Sequence, residues 1–267
     1  MRVDEADLQE VIDTAYANGL AKKTLMNLRA TLVSFVKYCR KTKATMLFPE
    51  DLTIPKAARR SEKRIAAPND IQVLFSAEQT FYRGKVVFDR CVHAYRFAVL
   101  TGVRPGELVG LKWADLNGNK LTIRRSINDR NEVTAGKNEN AHRAISVKGL
   151  PRQELDEQRA MLSRLGVLSE YIFPGYDADY LPQRQFRKYW NKYCEHNGIS
   201  KITPYELRHT YVSVNDEMPD GLKKKAVGHS ENMDTEGTYG HLKAGDLDRI
   251  ADYSTAAFQA IISPKNK

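Results

Sequence analysis

The sequence predicts a mainly α protein with a small antiparallel β-sheet. It has a short helical N-terminal piece, a basic linker and a larger, mainly helical domain that holds the sheet. Three observations predict this. Apolar residues recur three and four apart through most of the chain, as in Leu25, Leu28, Leu32, Phe35 and Cys39, the period of a helix with one buried face. Two segments break that period, L-T-I-R-R-S-I and R-A-I-S-V, joined through the turn-rich N-D-R-N-E-V-T-A-G-K-N-E-N. Finally, 267 residues is long for one core, and 42% hydrophobic with 28% charged residues is a folding composition rather than a disordered one.

Taken in order, Leu8, Val11, Ile12 and Ala15 mark a first helix that stops at Gly19, and the stripe from Leu25 marks a second, longer one. These fall within residues 1–57. The stretch I-P-K-A-A-R-R-S-E-K-R carries five basic residues and one acid, and residues 58–67 are read as a linker. Charge runs of this kind are commonly solvated. Here Arg59, Arg60, Lys63 and Arg64 are read as phosphate contacts because of the motifs downstream. From Pro68 to the C-terminus, residues 68–267, Pro68–Glu78 and Val86–Leu100 read as helices, the second ending at Thr101-Gly102. After the strands, helices return near Gln153–Leu165 and from Gln183 to His196, where Phe186, Tyr189, Trp190 and Tyr193 form an apolar face. Trp190 and Tyr193 are read as core.

In T-P-Y-E-L-R-H-T, Thr203 and Glu206 have capping-box spacing and Pro204 stands at the first helical position, so a helix starts there. Tyr205 and Arg208, three apart, then share a face. The last helical stripe is Ile250, Tyr253, Ala257, Phe258 and Ile261.

Charge bounds the function. Forty-two Lys and Arg against 33 Asp and Glu leave +9, which favours a polyanionic partner such as nucleic acid. No apolar run approaches the roughly 20 residues that cross a bilayer, and no signal-peptide core opens the chain, so a soluble, cytoplasmic protein is expected. Cys39, Cys91 and Cys194 form no C-x-x-C pair and read as buried, reduced thiols. With no Walker loop, no convincing H-x-x-x-H helix and no D-x-D cluster, neither a metal nor a nucleotide cofactor is expected.

Three further segments carry chemistry. T-G-V-R-P-G-E-L-V-G-L places Arg104 between a glycine that ends one helix and a proline that begins the next. G-K-N-E-N-A-H-R-A-I-S-V puts Lys137 on a turn before a strand, and V-G-H-S-E-N-M-D-T-E-G-T-Y-G-H puts His229 after a glycine stop with Tyr239 ten residues on. Together with T-P-Y-E-L-R-H-T, in this order, these segments resemble the catalytic domain of the tyrosine recombinases, the phage-type integrases, in the style of integrative and conjugative elements and prophages. The resemblance runs from about Pro68 to the C-terminus. It implies that Arg104 and Arg208 bind the scissile phosphate, Lys137 is the strand-turn lysine, His229 the histidine after glycine, and Tyr239 the nucleophile. Glu107 matches an acidic position that supports the first arginine. Tyr205 departs from the family, standing where a histidine is usual. It is read as a neutral phenol that can donate a hydrogen bond to phosphate but cannot carry a positive charge, and His209 as a structural histidine behind Arg208.

The residue types suit that chemistry. Attack on a phosphodiester develops negative charge on the non-bridging oxygens, and a guanidinium offers a planar fork for two of them. Tyrosine, with a pKa near 10, costs about 4 kcal/mol to ionise at neutral pH unless a cationic site favours phenolate. The leaving 5′-oxygen needs a general acid, which Lys137 can supply, and His229 can hydrogen-bond a non-bridging oxygen or assist proton transfer. The resemblance implies a 3′-phosphotyrosine intermediate, double-stranded DNA as partner, and a homotetramer on two DNA sites linked through the C-terminal helix. An accessory DNA-bending or excision factor is compatible with it. Residues 1–57 then read as a partial helical core-binding domain that clamps DNA. Two alternatives remain open at this stage: a DNA-binding relative with weakened catalysis, and a type IB topoisomerase-like activity without strand exchange.

Overall fold

The computed structural model describes residues 3–60, 62–134, 143–177, 179–228 and 242–263. The chain forms two compact units, Met1–Lys63 and Arg64–Lys267.

In the N-terminal unit, α1 (Glu5–Ala17) and α2 (Lys22–Lys41) pack together. Asp4 caps α1 in a reciprocal box with Asp7, each carboxylate accepting the other's backbone N–H at 2.9 and 3.1 Å. Leu8, Ile12, Val36 and Leu52 form a small core, and Leu25 is fully buried. The buried stripe of α2 runs through Val36 rather than Phe35, which is 62% exposed. The chain after α2 is tied back by Gln9, whose amide accepts from the Thr53 N–H at 2.8 Å and donates to its carbonyl at 3.2 Å. Arg59 is held likewise, its carbonyl accepting from the Lys22 N–H at 2.8 Å.

The C-terminal unit is built around one buried helix. Its elements are α3 (Pro68–Ser76), β1 (Gln79–Tyr82), β2 (Lys85–Phe88), α4 (Val92–Thr101), α5 (Pro105–Val109), a 3₁₀ turn (Trp113–Asp115) and β3 (Leu116–Asn117). There follow β4 (Lys120–Ile123), β5 (Ser126–Ile127), β6 (Val133–Thr134), β7 (Arg143–Ser146), α6 (Leu150–Arg164), α7 (Gln183–Asn197), α8 (Pro204–Val214), α9 (Asp220–Val227) and α10 (Asp246–Ile262). Every residue of α4 is buried, with α3, α5, α6 and α8 against it. Two of its polar side chains are partnered: Arg96 donates to the Leu74 and Ala77 carbonyls at 2.8 and 2.9 Å, and His93 Nδ1 lies 2.7 Å from the Glu154 carboxylate. Tyr95 meets Phe186, Trp190 and Tyr193 of α7 at centroid distances of 5.5, 5.0 and 5.1 Å, so the aromatic face expected on α7 is core. Cys91 and Cys194 are buried free thiols, and Cys39 in the other unit is half-buried.

The small sheet is antiparallel in the order β3-β4-β7, with Leu121 opposite Ile145 and Ile123 opposite Arg143; β5 and β6 pair separately. The helix expected over Val86–Leu100 is corrected at its first half. Residues 79–88 are a β-hairpin, and α4 begins only at Val92. Its two-residue turn, Arg83-Gly84, has positive φ at both positions (48° and 79°), the twist that lets two strands pair directly.

The last helix packs one face on its own unit. Ile250, Ala251, Ser254 and Phe258 of α10 are buried within their own unit, Phe258 stacks on Tyr211 at 6.5 Å, and Gln72 donates to the Ile261 carbonyl at 2.9 Å. Of the stripe expected to dock on a second copy, Ile250 and Phe258 are thus buried, Ala257 and Ile261 half-buried, and Tyr253 40% exposed. Among the described residues, no helix is long and apolar enough to cross a membrane.

Candidate active site

The site starts where α4 ends. Gly102 closes that helix in the left-handed region (φ 63°), and a Cβ there would lie 2.6 Å from Tyr211 Cδ1, so glycine is required both for the turn and for the approach of α8. Arg104 follows in extended conformation, as a residue preceding proline prefers, and becomes the N-cap of α5. One turn on, Glu107 reaches back. It accepts the Arg104 backbone N–H at 2.9 Å and Arg104 Nη1 at 2.7 Å. The Arg104 side chain remains 36% exposed, so it presents an edge to solvent.

A third arginine completes the group, and the sequence motifs pass over it. Arg143, on β7, is buried and forms a bidentate pair with Glu107, Nη1 to Oε1 at 2.9 Å and Nη2 to Oε2 at 2.8 Å. Glu107 thus accepts four hydrogen bonds, two per oxygen, the capacity of a carboxylate. Arg208 comes from α8, whose start has the anticipated capping box: Thr203 Oγ1 accepts the Glu206 N–H at 3.3 Å and Glu206 accepts the Thr203 N–H at 2.6 Å. Arg208 is 2% exposed, and its guanidinium donates to the Gly102 carbonyl at 2.8 Å.

The three guanidiniums converge on the C-terminal end of α9. Arg143 Nε donates to the Ala226 carbonyl at 3.4 Å, Arg208 Nη2 to Val227 at 2.5 Å, and Arg104 Nη2 to Gly228 at 3.2 Å. These are carbonyls that a helix end leaves without intrahelical partners, and cations there also complement the helix dipole. Among the described residues, three positive charges meet the single Glu107 carboxylate, an excess of two. The electrostatics register this. Burial pushes the Glu107 carboxyl up, but the Arg143 pair and the Arg104 backbone and side-chain donors outweigh it and bring its pKa down to about 2. Burial, then repulsion from Arg104 and Arg143, lowers Arg208 to about 10, still fully charged at neutral pH. Such an arrangement suits an anion, with Arg104 as its accessible rim.

Tyr205 lies on the same helix but is 46% exposed, its ring edge-on to His209 at 5.4 Å. Arg59, Arg60 and Lys63 are exposed in the N-terminal unit. Arg64, in the other unit, is partly committed: its N–H donates to Glu206 at 3.1 Å and its Nη1 to the Lys201 carbonyl at 3.0 Å. Lys137, His229 and Tyr239 lie outside the described residues. The signal for Arg143 is present in R-A-I-S, where burial alternates and Arg143 is in phase with Ile145 on the inward face. Among the described residues, no group of three or more His, Cys, Asp or Glu could hold a metal ion.

Residues 65–245 match the phage integrase family. Over 175 residues the chain is 27% identical to the ICEBs1 integrase of Bacillus subtilis (strain 168), an alignment spanning 59% of this chain and 46% of that protein. The chain thus spans about half the length of that curated relative. The fold is similar to the Tn1549 transposon integrase in complex with transposon right end DNA, with TM-score 0.68 and 20% identity over 92% of this chain and 84% of that one. It is also similar to a lambda integrase tetramer bound to a Holliday junction, with TM-score 0.64 and 18% identity over 88% of this chain and 66% of that one.

Proposed function

Because the chain belongs to the phage integrase family, we propose that it is a tyrosine-type site-specific recombinase that cuts and rejoins double-stranded DNA through a 3′-phosphotyrosine intermediate. The observation that carries this is the cluster of Arg104, Arg143 and Arg208 around one carboxylate, a preformed excess of positive charge whose exposed edge suits a phosphodiester. Arg104 and Arg208 stabilise charge on the non-bridging oxygens. Tyr239 attacks the phosphorus, Lys137 protonates the departing 5′-oxygen, and His229 hydrogen-bonds the phosphate. Tyr205 contributes at most one neutral hydrogen bond. No metal or nucleotide is invoked, since the phosphotyrosine bond conserves the energy needed for religation.

Residues 1–57 are proposed to bind the duplex as a partial core-binding domain, with the basic stretch 58–67 along the phosphates. Assembly is proposed as a homotetramer formed on two DNA sites, with an accessory bending or excision factor as a further component. Contacts between copies are proposed to include the C-terminal helix α10, which leaves Tyr253 40% exposed beside its buried face.

A nicked suicide substrate tests the proposal. The chain should become covalently attached to DNA, and Tyr239→Phe should bind the same DNA without attachment. Arg104→Lys and Arg208→Lys should cut cleavage by roughly a hundredfold or more with affinity within a few-fold, since charge is kept and the fork is lost. Mapping the phosphotyrosine to Tyr253 or Tyr211 would displace Tyr239 from its role. Equal losses of affinity and cleavage in the arginine variants would reassign both to general DNA contacts.

A further inference from the structure

We infer that Arg143 is a positioning residue for the phosphate-binding arginines, fixing the Glu107 carboxylate and the end of α9 on which Arg104 and Arg208 are hung. The inference rests on the phosphate-binding reading of those two arginines and names what holds them in place.

Arg143 does not itself reach substrate. It is 9% exposed, and its guanidinium is occupied by Glu107 on one side and the Ala226 carbonyl on the other. Its backbone is pinned by the β4–β7 ladder, where Ile123 is its partner. Its stem lies against Gly228, where a Cβ would come within 2.7 Å of Arg143 Cδ. Backbone, stem and head group are therefore all held.

That rigidity has a recipient. Among the described residues, the Arg104 side chain makes one hydrogen bond to Glu107, at 2.7 Å, and one to Gly228, at 3.2 Å. Both anchors are themselves set by Arg143, the first by a bidentate pair that fixes the plane of the carboxylate and the second by packing. Arg208 shares the same row of carbonyls through Val227. Without the planar fork of Arg143, the carboxylate keeps only its bonds from Arg104 and can rotate with it, so the exposed edge of Arg104 loses a defined position. Misplacement by about 1 Å in such a site costs about a hundredfold in rate. Lysine at 143 retains the charge and so separates the geometric role from the electrostatic one.

The test measures single-turnover cleavage of a nicked suicide DNA by the full chain carrying Arg143→Lys, Arg104→Lys, or both, alongside DNA affinity and unfolding midpoint. Arg143→Lys should cleave at least roughly tenfold more slowly with affinity within about threefold of wild type. In the Arg104→Lys background, the same substitution should cost clearly less than in wild type, because one of the two groups it positions has already lost its fork. Independent, multiplicative losses would overturn the inference, as would a chain that no longer folds with lysine at 143, which would make the residue a stability element. Slow cleavage in Arg104→Lys with normal cleavage in Arg143→Lys would overturn the inference alone. Normal cleavage in Arg104→Lys would instead remove the phosphate-binding reading beneath it.

Discussion

Replacing Glu107 by glutamine removes one charge and nothing of the side chain's shape, so it isolates what the carboxylate contributes. Four donors point at its two oxygens, three of them from guanidiniums and one from the Arg104 backbone. Glutamine offers one oxygen to them and turns an NH₂ toward the others, leaving Arg143 buried without a counter-charge. Two routes give the magnitude. A pKa lowered from 4.5 to about 2 corresponds to roughly 3 kcal/mol of native-state stability at neutral pH. Breaking a buried ion pair by removing one partner costs about 3–5 kcal/mol. For a unit of this size, about 3 kcal/mol lowers Tm by roughly 6–12 °C.

The pH dependence gives the sharper assay. Because the folded pKa is depressed, the stability contributed by Glu107 is complete above pH 4.5 and is lost as pH falls toward about 2. Urea unfolding of wild type and Glu107→Gln should therefore show a constant gap from pH 7 down to about 4.5. Below that the gap should narrow by roughly 1.4 kcal/mol per pH unit. A gap as wide at pH 3 as at pH 7, or a Tm change under about 2 °C at neutral pH, would refute the assignment of Glu107 as the charged centre of the arginine cluster.

Three other outcomes are expected. Neutralising Arg59, Arg60 and Lys63 should weaken DNA binding and flatten its salt dependence by up to about 0.9 log unit for each phosphate no longer neutralised, with Arg64 adding less because its guanidinium already bonds Lys201; an unchanged slope would make the stretch a solvated linker. Burial pushes Asp89 up to about 6, so wild-type stability should fall as pH rises from about 4 to 6, and Asp89→Asn should remove that fall and add up to roughly 3 kcal/mol at neutral pH; parallel pH curves in denaturant titrations would contradict it. Phe258→Ala should destabilise the free chain by about 3–5 kcal/mol, since its ring is buried against Tyr211; unchanged stability would contradict the burial of that ring.

Helix ends are the most legible features of the sequence, because their signals are local. Thr203-Pro204 and Glu206 state a start, and Thr101-Gly102 states a stop, within four residues. The aromatic face of α7 is legible for the same reason, its period being contained in one helix. The hairpin over 79–88 is obscured by its second strand, since Val86, Val87 and Phe88 run toward the apolar residues of α4 and a short apolar run does not distinguish strand from helix. The disambiguating signal is Arg83-Gly84 between two β-rich triplets, a two-residue turn that asks for positive φ at both positions. The stripe through Phe35 is off by one position, within the tolerance of a helical face, and Val36 takes the inward place.

The site divides along the same line. Arg104 and Arg208 stand beside punctuation, a glycine stop and a capping box, so their exceptional positions can be read from their neighbours. Arg143 stands beside nothing of the kind. Its partner Glu107 is 36 residues away, and Ala226 is 83 away. What marks it is a conflict between composition and phase: an arginine at the inward position of a strand whose other inward residue is isoleucine. A buried guanidinium needs acceptors for its N–H groups and costs least with a carboxylate among them, so such a conflict in a sequence points to an acid elsewhere in the chain aimed at the same place. In this chain that acid is Glu107, and the place is the end of α9 where Arg104 and Arg208 also meet.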